Sequence, residues 1–458
     1  MNLSEQLARF VAETRFGDIP PSVIENQKKS VMDAVAVTYG AGTLGDGCRQ
    51  MVAIAEALAA NGDGEATVIG FDRKLPAHWA AFANAAMAHS LDFGDTHQKS
   101  TIHPNAAGFP AALAVGEQMG VSGKDLLTAL VLGSETAIRI AMAADINTTA
   151  YGFYPPSIYS SYGAVAAVAK LMGLSARQIV SAFSFNLCQT MCSSELVNNA
   201  ATAVRSVREA FSARNAIVAC AMARADLAGF DDPLEGELGF YHTFLRDQYT
   251  ADRALTGLGR DYMAADLTYK AWPCCFGTHG ALTAARQMLS EGLFTPDTIT
   301  HIQVFIGAHN RILFEPPEQR RNPKTAIVGK FSIPFTLASL LLRGDVDLDS
   351  FSPRRLHDRR IRALAAKIDY TYVESWQRGK EAYTKLVVET DHGRFERMVT
   401  APFGTPENPM DDEAFARKFT ACAAHAPCGR TREELDALRH AIAALETFGD
   451  IRDFTRLL

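Results

Sequence analysis

The stretch SGKDLLTALVLGSETAIRIAMA, residues 122–143, reads as one long helix. Ser122 followed three residues later by Asp125 is a capping box, in which each side chain satisfies a backbone N–H that the first turn leaves without a partner. Beyond the cap, apolar residues recur at i, i+3 and i+4, the spacing of one helix face. Small residues sit among them, which predicts close helix–helix packing in a large orthogonal bundle rather than a coiled coil. The same texture runs outward in both directions. MNLSEQLARF at the N-terminus reads as an amphipathic helix. YGAVAAVAKLM is closed by Gly173, and SARQIVSAFSFNL is opened by Ser175 with Gln178. Most of the first 260 or so residues therefore read as helix.

The pattern changes after about residue 263. ITHIQVFIG alternates as a strand does, and YTKLVVET-DHG-RFERMVT reads as a hairpin about an Asp-His-Gly turn. Helical stretches lie between, among them SIPFTLASLLLRG and RRLHDRRIRALAAKI. From about 404 helix returns, and Thr431 with Glu434 caps TREELDALRHAIAAL. The expected fold is mainly α: an all-helical domain of residues 1–262 and 404–458, with a smaller α/β domain of residues 263–403.

Composition narrows the function. The chain has 458 residues, 48% of them hydrophobic, enough for one large or two medium cores. A net charge of −6 offers no basic field for nucleic acid. Charged or polar residues interrupt every apolar run before it could span a bilayer. The N-terminus has neither the basic nor the apolar region of a signal peptide, so a cytoplasmic location is expected. The eight cysteines form no C-x-x-C pair and read as free thiols.

Chemistry concentrates in LDFGDTHQKSTIHPNAAGFP, residues 91–110. Two aspartates, two histidines and several hydroxyls fall between apolar helical stretches, and His103-Pro104 restrains the backbone where the loop ends. A polar capped turn with a satisfied histidine is the plainer reading of such a loop.

The surrounding residues resemble a known family. AHSLDFGDTH…HPNAAGFPAALAVGEQMGVSGKDLLTALVLGSE resembles the signature H-x-x-D-[FY]-D-D-T…H-P of the MmgE/PrpD family. YGAVAAVAKLMGLSARQI, PLEGELGF, YKAWPCCFGTHGAL and GKFSIPFTLASLLLRG match further family segments in register, so the resemblance covers essentially the whole chain. It implies a helical domain with an α/β lid, the site between them, and a homodimer. The family includes 2-methylcitrate dehydratase and cis-aconitate decarboxylase. Their reactions remove or replace a proton beside a carboxylate, which needs a placed base and fixed donors but no cofactor. Consistent with that, the sequence has no P-loop, no H-E-x-x-H and no dinucleotide fingerprint.

On this resemblance Asp92 is a base or an imidazole-orienting group, and Thr96 a donor to a substrate carboxylate. His103 is a proton carrier, and Lys270 and His279 are further site residues. Lys270 is either desolvated by Trp272 and Phe276, and so basic, or an exposed lysine at a strand start. Arg208 offers a carboxylate fork, or lies on a solvated helix face. His97 is adjacent without a fixed family position. Asp95, His97 and His103 fit no standard zinc spacing, so no metal is expected. Cys274 and Cys275 read as packing residues.

The departures from the family pattern suggest a narrower activity. Gly94 stands where the pattern has its second acid, Tyr154 where dehydratase-like members have histidine, Arg208 for lysine and Phe335 for tyrosine. The resemblance is therefore closest to the branch of iminodisuccinate epimerase. The expected reaction is cofactor-independent epimerisation of a small carboxylate by two-base proton transfer, with His103, Lys270, Asp92 and Tyr154 catalytic and Thr96, Arg208, His279 and His97 binding. A dehydratase or decarboxylase of a tricarboxylate is the alternative. A noncatalytic dimeric binding protein is a third reading, disfavoured because a scaffold would not need Asp92, Thr96, His103, Lys270 and His279 together.

Overall fold

The computed structural model describes residues 1–60, 64–199, 202–376, 380 and 382–458. The chain divides into two compact units, residues 1–268 with 415–458, and residues 269–414.

The larger unit is a bundle of helices. The opening stretch forms the helix Gly123–Met142, with the Ser122 side chain accepting from the Asp125 amide as its spacing predicts. Its small residues decide how it packs. A Cβ placed on Gly133 would fall 2.7 Å from the carbonyl oxygen of Gly163, and one on Gly163 would fall 2.6 Å from that of Gly133. The helix Gly123–Met142 thus crosses the helix Pro155–Leu171 backbone to backbone, a closeness that any side chain at the crossing would prevent. Further along, the buried Arg139 pairs with Glu135 at 2.6 Å and donates to the carbonyls of Ala254, Thr256 and Asp261. One guanidinium so anchors the segment 254–261, which begins in the short helix Asp252–Leu255. The helices Ala176–Leu187 and Arg432–Ala443 carry the predicted capping boxes, and Gly173 has the positive φ that ends a helix. Among the described residues no helix is long and apolar enough to cross a membrane.

The smaller unit holds a four-stranded sheet in the order Ile368–Tyr372, Ile299–Ile306, Thr384–Thr390, Gly393–Val399. The first pair is parallel and the other two are antiparallel. The predicted hairpin is present, and Gly393 already pairs with Thr390, so the turn proper is Asp391-His392. The helices His279–Ser290 and Ile333–Arg343 supply Leu282, Met288, Leu337 and Leu341 to a core shared with Ile302, Val304, Leu386 and Val388.

The stretch 354–368 departs from its expected continuous helix. A short helix, Pro353–Leu356, stops at His357. Asp358 then caps a second one, Arg359–Ala365, by accepting from the amides of Arg360 and Ile361. After it the chain enters the strand Ile368–Tyr372, which helical periodicity had hidden. Phe335 lies at 0% exposure inside the core against Phe351, at 6.2 Å between ring centroids. It is a packing residue of this unit, so its lack of a hydroxyl is a fact about the core and carries no argument about leaving-group chemistry.

Candidate active site

The helix Ala77–Ser90 ends one residue after His89, and the chain turns sharply into the polar loop. Asp92 makes that turn with φ +52°, a left-handed conformation that costs a residue with a Cβ roughly 1–2 kcal/mol. The turn brings the Asp92 carboxylate to 3.8 Å from His89 Nε2. At the far end of the loop, Pro104 occupies the first position of the helix Pro104–Met119, which leaves His103 as the residue before it. The His103 ring lies 4.2 Å from that of His89, and ligand-type atoms of His89, Asp92 and His103 all fall within 4.8 Å of one another.

One contact determines the state of His103. Its Nδ1 lies 2.9 Å from the backbone carbonyl oxygen of Asp95. A carbonyl only accepts, so the neutral ring carries its hydrogen on Nδ1 and presents Nε2 as the basic nitrogen.

The loop itself is held from several sides. Thr96 exchanges two backbone hydrogen bonds with Thr268, and its hydroxyl donates to the Ile102 carbonyl. His97 is buried with Nδ1 2.7 Å from Ser100 Oγ, and burial, with Lys99 nearby, pushes its pKa down to about 4. Both side chains are therefore engaged in loop architecture.

A polar cluster lies behind the loop. The Asp95 carboxylate accepts from Asn105 Nδ2 at 2.6 Å, and Asn105 in turn accepts from Gln27. Burial, reinforced by the charge of Asp33, pushes the Asp95 pKa up to about 7 against the pull of Asn105, Ser30 and Lys418. A cavity of about 10 Å³ opens between Asp33, His89, Gly94, Asp95 and His103, roughly the space of one water molecule.

Arg208, at the head of the helix Glu209–Arg224, is only 2% exposed, which overturns the solvated-face reading. Its Nε donates to Ser157 Oγ at 3.0 Å and lies 3.1 Å from the buried Glu209 carboxylate, which also accepts from Ser157. Its guanidinium carbon sits 4.9 Å from the centre of the Tyr154 ring. Burial works to lower the Arg208 pKa, but Tyr154, Glu209, Cys192 and Asp92 outweigh it and hold the group firmly charged. Among the described residues its Nη2 has no hydrogen-bond partner. Two of the departures from the family pattern, at 154 and 208, are thus in contact as a guanidinium–phenol stack.

In the smaller unit Lys270 is 1% exposed, which excludes the exposed-lysine reading. His279 begins the helix His279–Ser290 with its ring 5.1 Å from Trp272 and 5.0 Å from Phe276. Cys274 packs with its Sγ 3.0 Å from Thr278 Oγ1, and all eight cysteines are free thiols.

The larger unit so brings together Asp92, His103, Tyr154 and Arg208 from the predicted set. Reasoning from sequence passed over His89, Ser157, Glu209, Asp33 and Lys418. Of these His89 carried a signal, since it is the histidine that opens the H-x-x-D signature ending at Asp92.

The chain thus combines a mainly helical unit that carries the His89, Asp92 and His103 cluster with a smaller α/β unit. The chain belongs to the MmgE/PrpD family: the N-terminal domain profile matches residues 5–252 and the C-terminal domain profile residues 272–441. It is 26% identical to a cis-aconitate decarboxylase-like protein of Aspergillus oryzae over 482 aligned positions, covering 100% of this chain and 97% of the relative. It is 25% identical to the cis-aconitate decarboxylase of Homo sapiens, covering 100% and 94%, and 24% identical to that of Mus musculus, covering 100% and 93%. These relatives are named as decarboxylases, so the comparisons favour the lyase alternative over the epimerase expected first.

Proposed function

We propose that the chain is a cofactor-independent lyase acting on a small tricarboxylate, of the decarboxylase or dehydratase kind. The observation that carries this reading is the His89–Asp92–His103 cluster, with the His103 tautomer fixed by the Asp95 carbonyl and the charged Arg208 within electrostatic reach of Asp92. The names of the relatives support the lyase over other proton-transfer reactions.

In a decarboxylation the electrons of the breaking C–C bond flow into a conjugated carboxylate, carbon dioxide leaves, and one proton is added at carbon. His103 as imidazolium supplies that proton from Nε2. The neighbouring Asp92 favours the charged ring before transfer. Arg208 Nη2 holds a substrate carboxylate and stabilises the charge that develops on it. In a dehydration the neutral His103 removes the proton instead, and a second acid must meet the departing hydroxide. Lys270 belongs to the proposal as a further proton carrier and His279 as a binding residue, both on their sequence pattern. The reading includes a cytoplasmic location and a homodimer, and light scattering of the purified protein tests the homodimer.

Epimerisation is retained as a second reading on one observation. Tyr154 lies against Arg208 where an imidazole acid would otherwise stand, and a phenol is the weaker proton donor near neutral pH.

One experiment separates the readings. Purified protein is incubated in heavy water with cis-aconitate, 2-methylcitrate and the iminodisuccinate isomers, and followed by nuclear magnetic resonance. Carbon dioxide release or alkene formation supports the lyase. Stereoinversion with deuterium uptake and neither of those products reverses the order. No exchange with any of them supports a noncatalytic binding protein.

A further inference from the structure

The least expected feature of the larger unit is a buried ammonium that reaches the candidate site from the end of the chain. Lys418 lies on the helix Asp412–Ala423, in the part of that helix belonging to the larger unit. Its Nζ is 2.5 Å from Asp33 Oδ1, on the helix Pro21–Leu44, and donates to the Phe93 carbonyl at 2.6 Å. It also sits 4.0 Å from the centre of the Phe93 ring. Lysine and aspartate are both almost fully buried, and neither belongs to the proposed chemistry.

Phe93 follows Asp92, the residue in the left-handed conformation, and Asp95 lies two residues further on. A strained turn persists only where its surroundings over-determine it. Here the peptide just past the strain is gripped by a charge-assisted hydrogen bond, and its ring is covered by the same cation. The next fixed points are Asp95, whose carboxyl meets Asn105 and whose carbonyl orients His103, and Thr96, bonded to Thr268.

We propose that Lys418 is a positioning residue for the candidate active site: anchored on Asp33, it holds the Asp92–Asp95 turn so that Asp92 faces His89 and the Asp95 carbonyl meets His103 Nδ1. In this role Lys418 acts through the loop backbone. The proposal deepens the proton-transfer reading and rests on it for the catalytic consequence, but the geometric claim stands apart from any substrate.

The variants are Lys418→Met, Lys418→Arg and the double variant Asp33→Asn with Lys418→Met. The double variant removes both buried charges together and so avoids stranding one of them, which keeps a folded protein available for the measurement. Two readouts are taken at one pH. The first is the rate at which diethyl pyrocarbonate modifies His103, resolved by mass spectrometry, with the exposed His392 as internal reference. The second is the kcat and KM of carbon dioxide release from cis-aconitate.

In Lys418→Met and in the double variant, His103 is expected to react several-fold faster while His392 is unchanged. The kcat should fall by roughly 100-fold, as for a catalytic group displaced by about 1 Å, with KM nearly unaltered. Lys418→Arg, which keeps a charged donor, should recover part of both. Folded variants with wild-type His103 reactivity overturn the proposal. So does a fall in thermal stability with kcat and His103 reactivity unchanged, since that is a structural role alone. If the wild-type protein releases no carbon dioxide yet His103 reactivity depends on Lys418, the positioning claim stands and the decarboxylase reading falls.

Discussion

Asp95→Asn should make the protein more stable, and more so the higher the pH. The Asp95 carboxyl is buried at 4% exposure, and its pKa rises from 3.8 to about 7, chiefly through desolvation and secondly through Asp33. An acid whose folded pKa lies above its unfolded one holds a proton that the unfolded chain has released. Between the two values the folded state therefore loses stability as pH rises, and the full cost is reached above the folded pKa. The difference, 7 − 3.8, is about three pK units, which at 1.36 kcal/mol each is about 4 kcal/mol above pH 7.5. At pH 4.5 the same linkage gives only about 1 kcal/mol. Asparagine has nearly the same shape, never ionises, and can still offer an oxygen to Asn105. With an unfolding entropy of about 2.1 cal/mol/K per residue over a unit of this size, Tm should rise on the order of 5 °C at pH 8 and about 1 °C at pH 4.5. Calorimetry of both proteins across that range is the assay. Equal destabilisation at both pH values would refute the reasoning, because it would mean that Lys418 keeps Asp95 ionised in the folded protein and that asparagine loses a favourable charge.

Four further outcomes follow from the same geometry. His103→Gln should lower turnover at least ~100-fold, the usual worth of an acid–base group, with Tm nearly unchanged; near-normal steady-state rates would remove His103 from the mechanism. Lys270→Arg should rescue poorly compared with wild type if the residue gives up a proton, since a guanidinium does not, and full activity in that variant would assign it to carboxylate binding. Gly133→Val should cost about 1–3 kcal/mol by forcing apart the two helices that meet at Gly133 and Gly163, read as a fall in urea midpoint. Dialysis against a chelator should leave activity intact; loss with recovery on adding zinc would show instead that His89, Asp92 and His103, whose atoms lie within 4.8 Å, gather round a cation.

Local rules govern the part of the fold that the chain announces. The capping boxes at Ser122, Ser175 and Thr431, the helix end at Gly173 and the hairpin about Asp391-His392 all depend on residues within a few positions of one another, so a mainly α fold with a smaller α/β part was legible. The polar loop was legible as a place of chemistry for the same reason, since His103-Pro104 and the aspartates are neighbours in the chain. Tertiary structure decided the rest. The strand Ile368–Tyr372 exists because it pairs in parallel with Ile299–Ile306, a contact no local pattern announces. Arg208 became a buried, charged partner of Tyr154 rather than a solvated arginine only because the helices Pro155–Leu171 and Glu209–Arg224 meet. Lys418 reached the candidate site across 325 positions of chain to Phe93. A charge of that kind has no periodicity to betray it; its role arises where folding strips away water and sets the Asp33 carboxylate and the Phe93 carbonyl against it instead.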